Sequence, residues 1–415
     1  MKIQRNLILI TSVYVIILIS LFVLGLIGDS SEETINFALK HFSRAEIDTG
    51  KAYFLYTSAP IAVDRILEIL FLLIVSVKGY HSIYAGWLSG KIKSSLLVTF
   101  ISFISLFICF NIIEFPFVYF ASFLAGKKFG LMNAGLFTWM TRYISSSAIG
   151  ILITCAFMSA ISIIIKNAKR YHIYVPIAAL IIGLCIIELY PKFIIPLFYK
   201  MEVLPDSELK NKIKTMCGNA DIEIDGIYTI DSGRISNSIN AYMVGTGGKR
   251  KIIIYDTLLK LKNDDEILTI VAHEICHYAE EHMLTGISIA ALSLYLFIPL
   301  LNRLSKLSGT GNLKCLVMPR KHSVLILLLI VLLFLIKPVK NTISRYFEKR
   351  ADTFALNITG KPDVFIAIKK KMAVENKSNI LPGKIYSWFY YTHPSALDRM
   401  RCAEIRLKPV KPPPN

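Results

Sequence analysis

The sequence predicts a membrane-embedded, all-α bundle of seven transmembrane helices into which a small α+β domain is inserted. Three observations carry that expectation. Of the 415 residues, 54% are hydrophobic, more than a soluble chain of this length usually carries without long apolar runs. Such runs are present along the chain. Two polar segments also stand apart from them, separated by two of the runs, so both fall on one side of the membrane and can fold together.

A helix of about 20 apolar residues crosses a bilayer core of roughly 30 Å. The candidate spans are 7–27, 66–77, 96–120, 144–165, 175–187, 285–301 and 323–336. The second, fifth and seventh are short or flanked by charge, which leaves their ends loosely defined. The first is too long for a cleavable signal peptide and precedes no small-x-small cleavage site. The cysteines are odd in number and lack framework spacing, and Cys109, Cys155 and Cys185 lie inside apolar spans. That pattern argues against a disulfide scaffold. No internal repeat is visible.

The net charge is +18. Its lysines and arginines flank the apolar spans, as in Lys166-Asn167-Ala168-Lys169-Arg170 and Arg320-Lys321. That placement suits anionic lipid head groups. A nucleic-acid partner would call for a basic face on a soluble domain, so none is expected. The resulting division is a membrane domain over 1–191 with helices one to five, the first part of the soluble domain over 192–283, helices six and seven over 284–336, the second part over 337–405 and a flexible tail over 406–415.

Within the first polar segment, 206–216 reads as a short helix and 222–230 holds an extended stretch. Residues 241–244 and 251–255 are extended pieces joined by Gly245-Thr246-Gly247-Gly248, the signature of a hairpin. A helix starts near Asn263, a plausible N-cap with Glu266 three residues on. Ile267, Ile270, Val271 and Ile275 recur along it at helical spacing. The second segment opens with a helical pattern over 341–356 and closes with a short helix near Pro394.

His273-Glu274-Ile275-Cys276-His277 lies in the middle of the Asn263 helix. Residues four apart share one helix face, so both imidazoles can reach one Zn²⁺ ion. The metal acidifies a water, and Glu274 takes its proton. A five-residue motif can arise by chance, but a third ligand is available in Glu348. Asp352, one turn further on, can orient a ligand histidine through its second ring nitrogen. A solvated helix of mixed charge is the plain reading of either piece alone; the two together point to zinc.

The chain resembles the integral-membrane zinc CAAX prenyl proteases of type 1, whose motifs include HExxH and ExxAD. Beyond the zinc residues, the resemblance rests on Asn240-Ala241-Tyr242 with Ile253-Ile254-Tyr255-Asp256-Thr257-Leu258, on Phe193-Ile194-Ile195-Pro196-Leu197-Phe198, on Lys127-Lys128-Phe129-Gly130-Leu131-Met132-Asn133 and on Thr392-His393-Pro394-Ser395. It runs from about 42 to 405. It implies a barrel of seven helices around a large water-filled chamber, with a zincin-type catalytic domain. It further implies that His393 helps stabilise the oxyanion at the scissile carbonyl, that Arg345 assists nearby and that Asn240 holds the substrate backbone along an edge strand. A free strand edge suits an extended peptide. On the residues alone, His393 could equally cap the Pro394 helix, and Asn240 could serve a turn.

The sequence departs from the family at Cys276, where a glycine is usual, and at Tyr278, where a tryptophan is usual. Neither change removes a ligand. Cys276 points off the His273/His277 face and reads as a packing residue, but substrate preference is left open. Asp64, Arg65, Glu68, Glu114 and Glu188 lie in or beside apolar spans, where charge is expensive. They either line the chamber or snorkel to the interface.

Sidedness is contested. The family places the catalytic domain in the cytoplasm, of a bacterial inner membrane or of the endoplasmic reticulum. The loops on the N-terminal side carry 13 basic residues and those opposite carry 6, which favours the reverse orientation. The function expected is an endopeptidase removing the C-terminal tripeptide of prenylated proteins. In a host without prenylation, it would cleave membrane-associated or misfolded peptides in quality control. A transporter or channel with a structural zinc is the non-enzyme alternative, but such a site is normally closed by four protein ligands, and only three are evident.

Overall fold

A computed structural model describes residues 2–29, 31–245 and 250–407. The chain begins with α1 (Lys2–Ile27), α2 (Glu32–His41), α3 (Arg44–Val77), α4 (Tyr80–Lys91), α5 (Ser95–Val118), α6 (Leu136–Asn167) and α7 (Tyr171–Leu189). Strand β1 (Met201–Val203), helix α8 (Glu208–Asn219) and strands β2 (Gly226–Ile230), β3 (Ala241–Val244) and β4 (Lys251–Tyr255) follow. Then come α9 (Asp264–Ala279), α10 (His282–Leu307), α11 (His322–Thr359), α12 (Pro362–Glu375), α13 (Lys384–Tyr390) and α14 (Ala396–Leu407). The molecule is a membrane helical bundle carrying a sheet-containing soluble domain.

Among the described residues, 6 helices are long and apolar enough to cross a membrane: 4–27, 95–128, 136–167, 171–198, 282–307 and 319–359. The expected span at 66–77 is the C-terminal part of α3, a helix of 34 residues opened by a capping box between Ser43 and Glu46. Its length suffices, but Asp64, Arg65 and Glu68 interrupt its apolar part. Asp64 and Glu68 are buried, and Arg65 bridges Glu68 at 2.5 Å and Glu114 of α5 at 3.8 Å. Glu188 instead pairs with Lys192 one turn on, at 2.7 Å.

The sheet has the order β1-β2-β4-β3. Strand β4 lies inside it, parallel to β2 and antiparallel to β3. Its Ile252, Ile253 and Ile254 are fully buried, as β-branched residues on a covered strand should be. The β3–β4 pair bears out the expected hairpin pairing; its connecting residues 246–249 lie outside the described residues, as does the tail from 408. β3 forms one edge of the sheet. Ahead of it, Asn237 donates to the Gly130 carbonyl at 2.9 Å and Asn133 donates to Asn237 at 2.6 Å, tying the 127–133 loop to the soluble domain.

One expectation needs correction. The apolar span ending at 336 and the helix expected from 341 are a single helix, α11, of 38 residues. Pro338 lies inside it. Proline removes one helical hydrogen bond, but its fixed φ is helical, and the chain continues unbroken. The helix that leaves the membrane therefore carries Glu348 directly into the soluble domain, where it packs along α9.

Candidate metal centre

Helix α9 is started by Asn263, whose Oδ1 accepts from the Glu266 amide at 3.2 Å. Ile267, Ile270, Val271 and Ile275 pack into the core that also holds Ile252 and Ile254. With that face committed to the sheet, His273 and His277 are turned towards α11. Their Nε2 atoms lie 3.2 Å apart. Glu348 brings Oε2 to 3.2 Å from His273 Nε2 and Oε1 to 3.4 Å from His277 Nε2. One ligand atom from each of the three residues can be chosen so that all lie within 4.8 Å of one another.

This cluster fits a metal ion. Two ring nitrogens and a carboxylate converge in a largely buried place, and Glu348 Oε2 has no hydrogen-bond partner among the described residues despite its short contact. Acceptor atoms gathered this way are costly without a shared cation. The donor set of two imidazoles and a carboxylate suits a catalytic zinc site.

Asp352 lies one turn beyond Glu348 with Oδ1 3.0 Å from His273 Nδ1, and Arg399 Nη2 comes within 3.4 Å of the same nitrogen. A carboxylate in this place favours the proton on Nδ1 and the lone pair on Nε2, the tautomer that binds a metal. Sequence reasoning missed what holds Asp352. Arg399 of α14 meets it with Nη2 at 2.5 Å and Nε at 2.7 Å, and Lys369 of α12 comes to 3.7 Å. Burial alone would push the Asp352 carboxyl up, but Arg399 and then Lys369 hold it well below the usual carboxylate range. Burial also pushes Lys369 down to about 8. Nothing in the local pattern marks Arg399 or Lys369, because each arrives from a distant helix.

A charge group this deeply placed has a large cost when broken. Arg399→Met is expected to destabilise the protein by about 3–5 kcal/mol, because Asp352 loses both bonds of its bidentate partner. Thermal unfolding of the metal-free protein measures it. A loss below about 1 kcal/mol, the range of a surface ion pair, would contradict the assignment.

His393 sits exposed in the loop between α13 and α14. Its Nε2 is 3.2 Å from Glu348 Oε1, and its Nδ1 is 2.8 Å from Thr392 Oγ1. The cap of α14 is a different residue: Ser395 Oγ accepts from the Asp398 amide at 3.1 Å. His393 borders two cavities. One, of about 510 Å³, is lined also by Lys369, Asn376, Tyr391 and Arg399. The other, of about 650 Å³, is lined also by Arg345, Lys349, Trp388 and Arg401.

Arg345 is not aimed at the cluster. It donates to the Tyr391 carbonyl at 2.6 Å and the Trp388 carbonyl at 3.1 Å, bracing the end of α13 and the segment leading to His393. Asn240 is exposed at the start of β3, where its Oδ1 accepts from the next amide at 3.0 Å. Glu274 is half-buried and makes no hydrogen bond or ion pair with a described residue. Cys276 is fully buried. The Tyr278 hydroxyl is buried without a hydrogen-bond partner among the described residues.

Comparison with known proteins follows these features. Residues 204–406 match Peptidase family M48. Residues 32–200 match the family described as CAAX prenyl protease N-terminal, five membrane helices. The CAAX prenyl protease 1 homolog of Oryza sativa subsp. japonica is 27% identical over 376 residues, covering 87% of this chain and 86% of that protein. The CAAX prenyl protease 1 of Saccharomyces cerevisiae is 25% identical over 313 residues, 70% of this chain and 68% of that one. The uncharacterized metalloprotease YhfN of Bacillus subtilis is 28% identical over 248 residues, and the match spans 58% of this chain and 57% of that protein. The crystal structure of S. mikatae Ste24p superposes with a TM-score of 0.80 at 20% identity, covering 97% of this chain and 99% of that chain; at that identity the likeness speaks for the fold.

Proposed function

The chain belongs to peptidase family M48 as a membrane metalloendopeptidase of the CAAX prenyl protease type, and from that premise we propose that its metal is one Zn²⁺ held by His273, His277 and Glu348. The observation that carries this reading is the convergence of two buried donors, on His273 and Glu348, and one partly buried donor, on His277, with a carboxylate oxygen that has no hydrogen-bond partner among the described residues. Among the described residues the group contains three ligands rather than four, which suits an open catalytic position. This favours an enzyme over a transporter or channel with a structural zinc.

When bound, zinc supplies a Lewis acid that acidifies a water and polarises the scissile carbonyl. The chain's residues do the rest. Glu274 accepts the proton of the attacking water and returns it to the leaving amine. His393 donates from Nε2 to the developing oxyanion. Arg345 keeps the His393 segment in place through the Trp388 and Tyr391 carbonyls. Asn240 and the free edge of β3 align an extended peptide by strand addition. Asp352 holds His273 in its metal-binding tautomer.

For the substrate, we propose the C-terminus of a prenylated CAAX protein, from which the terminal tripeptide is removed. In a host lacking prenylation, the same machinery serves quality control of membrane proteins. We further propose α3 as a seventh span, with Asp64, Arg65, Glu68 and Glu114 facing a water-filled chamber, and the domain division at 191, 283, 336 and 405. The catalytic domain is placed in the cytoplasm by analogy with the family, against the balance of loop charges.

Two measurements test the reading. Elemental analysis of the purified protein is expected to give one zinc per chain; another metal or none would remove the zinc assignment. Peptidase assays on paired prenylated and unprenylated peptides of one sequence are expected to favour the prenylated member through kcat/KM. Equal cleavage of both would transfer the protein to the quality-control reading.

A further inference from the structure

The second zinc histidine has a partner of its own. Helix α9 ends at Ala279, Glu281 adopts a left-handed φ of 51°, and α10 starts at His282. That left-handed residue folds the chain back. His282, five residues after His277 rather than a helical four, thereby returns beside it. Its Nδ1 lies 2.9 Å from His277 Nδ1, and its Nε2 lies 3.0 Å from Glu280 Oε2. The ring is buried and stacks on Phe347, with centroids 4.2 Å apart and planes at 17°. Arg350 of α11 grips Glu280 with Nε at 2.5 Å and Nη2 at 2.6 Å.

With both imidazoles neutral, the donors and acceptors allow one direction along this chain. Arg350 can only donate, and the Glu280 carboxylate can only accept. His282 must therefore carry its proton on Nε2 and donate to Glu280. Its Nδ1 then holds a lone pair and accepts. His277 supplies the proton from Nδ1, so its own Nε2 lone pair is presented towards Glu348 and His273. Asp352 achieves the same result for His273 in a single step.

We infer that His282, oriented by Glu280 and Arg350, is a positioning residue that fixes the tautomer and ring angle of His277 for metal binding. This rests on the assignment of His277 as a metal ligand. It also couples the first turn of α10, a membrane-spanning helix, to the metal centre. A partner in this position typically contributes about 10–100-fold to metal affinity.

The test is chelator competition for zinc on the full-length protein in detergent, with melting temperatures of the metal-free forms. His282→Phe keeps the stacking on Phe347 but offers no acceptor. His282→Asn keeps an acceptor for His277 and a donor for Glu280. His282→Phe is expected to bind zinc about 10–100-fold more weakly, and His282→Asn to recover most of the loss, with metal-free melting temperatures unchanged. Glu280→Ala, which leaves both rings in place, is expected to weaken zinc in the same direction. Wild-type affinity in His282→Phe, or equal loss in Phe and Asn variants with matching falls in metal-free melting temperature, overturns the inference. A wild-type protein that binds no zinc fails at the ligand assignment instead, which keeps the two readings separable.

Discussion

Glu274→Gln is expected to keep its zinc and lose about 10²–10⁴ of its turnover, the range supplied by a positioned general base. The reason lies in what Glu274 does not touch. Its neighbours His273 and His277 are drawn to Glu348, and the cluster of converging donors does not include Glu274. Its carboxylate also makes no hydrogen bond or ion pair with a described residue, so no structural contact opposes its use as a proton acceptor. The amide of glutamine has nearly the same shape, so α9 and the ligand geometry should survive. What it lacks is basicity. Zinc content, peptidase turnover and melting temperature measured on one preparation separate the outcomes. Retained zinc with wild-type turnover would remove Glu274 from the chemistry, and lost zinc would make it a ligand.

Part of this site was legible because its information is local. His273 and His277 are one helical turn apart, and so are Glu348 and Asp352; a spacing of four fixes a shared face wherever a helix forms. The cap at Asn263 and the apolar positions of α9 announced that helix in advance. The partners of those residues were not legible. Arg399 reaches Asp352 across 47 positions, and Lys369 comes from a different helix again. His282 is displaced from helical register by a left-handed residue that the sequence does not advertise, since Glu281 carries a side chain that usually avoids that conformation.

The fold divides in the same way. Long apolar runs gave the membrane helices directly, because lipid requires internally satisfied backbone bonds and about 20 apolar residues. Helix α3 was cut short in the sequence reading by Asp64, Arg65 and Glu68; in the folded bundle Arg65 pairs with Glu68 and lies 3.8 Å from Glu114. Helix α11 was read as two pieces because its apolar run ends at 336 and a polar helical pattern begins at 341, yet here one helix runs through Pro338. The β3–β4 hairpin was readable from two short extended pieces and their glycines. The parallel pairing of β2 with β4 was not, because β3 intervenes in sequence and pairs on the other side of β4.

His393→Ala is expected to lower turnover by about 10²–10³, the range for one oxyanion donor, while KM and zinc content change little. With Nδ1 accepting from the Thr392 hydroxyl at 2.8 Å, the neutral ring carries its proton on Nε2, which faces Glu348 Oε1 at 3.2 Å. The exposed ring thus presents an N–H beside the metal ligands from a loop bordering two cavities, where a substrate carbonyl can meet it. An interaction made mainly with the charge that develops in the transition state lowers kcat and kcat/KM together. The competing structural account makes His393 the cap or packing anchor of α14. Ser395 already supplies that cap through the Asp398 amide, so the melting temperature of His393→Ala is expected to stay near wild type. Because Nε2 also contacts Glu348, zinc content must be measured alongside. A fall in zinc that matches the fall in turnover would make His393 a support for Glu348, and unchanged turnover with a lowered melting temperature would make it a packing residue.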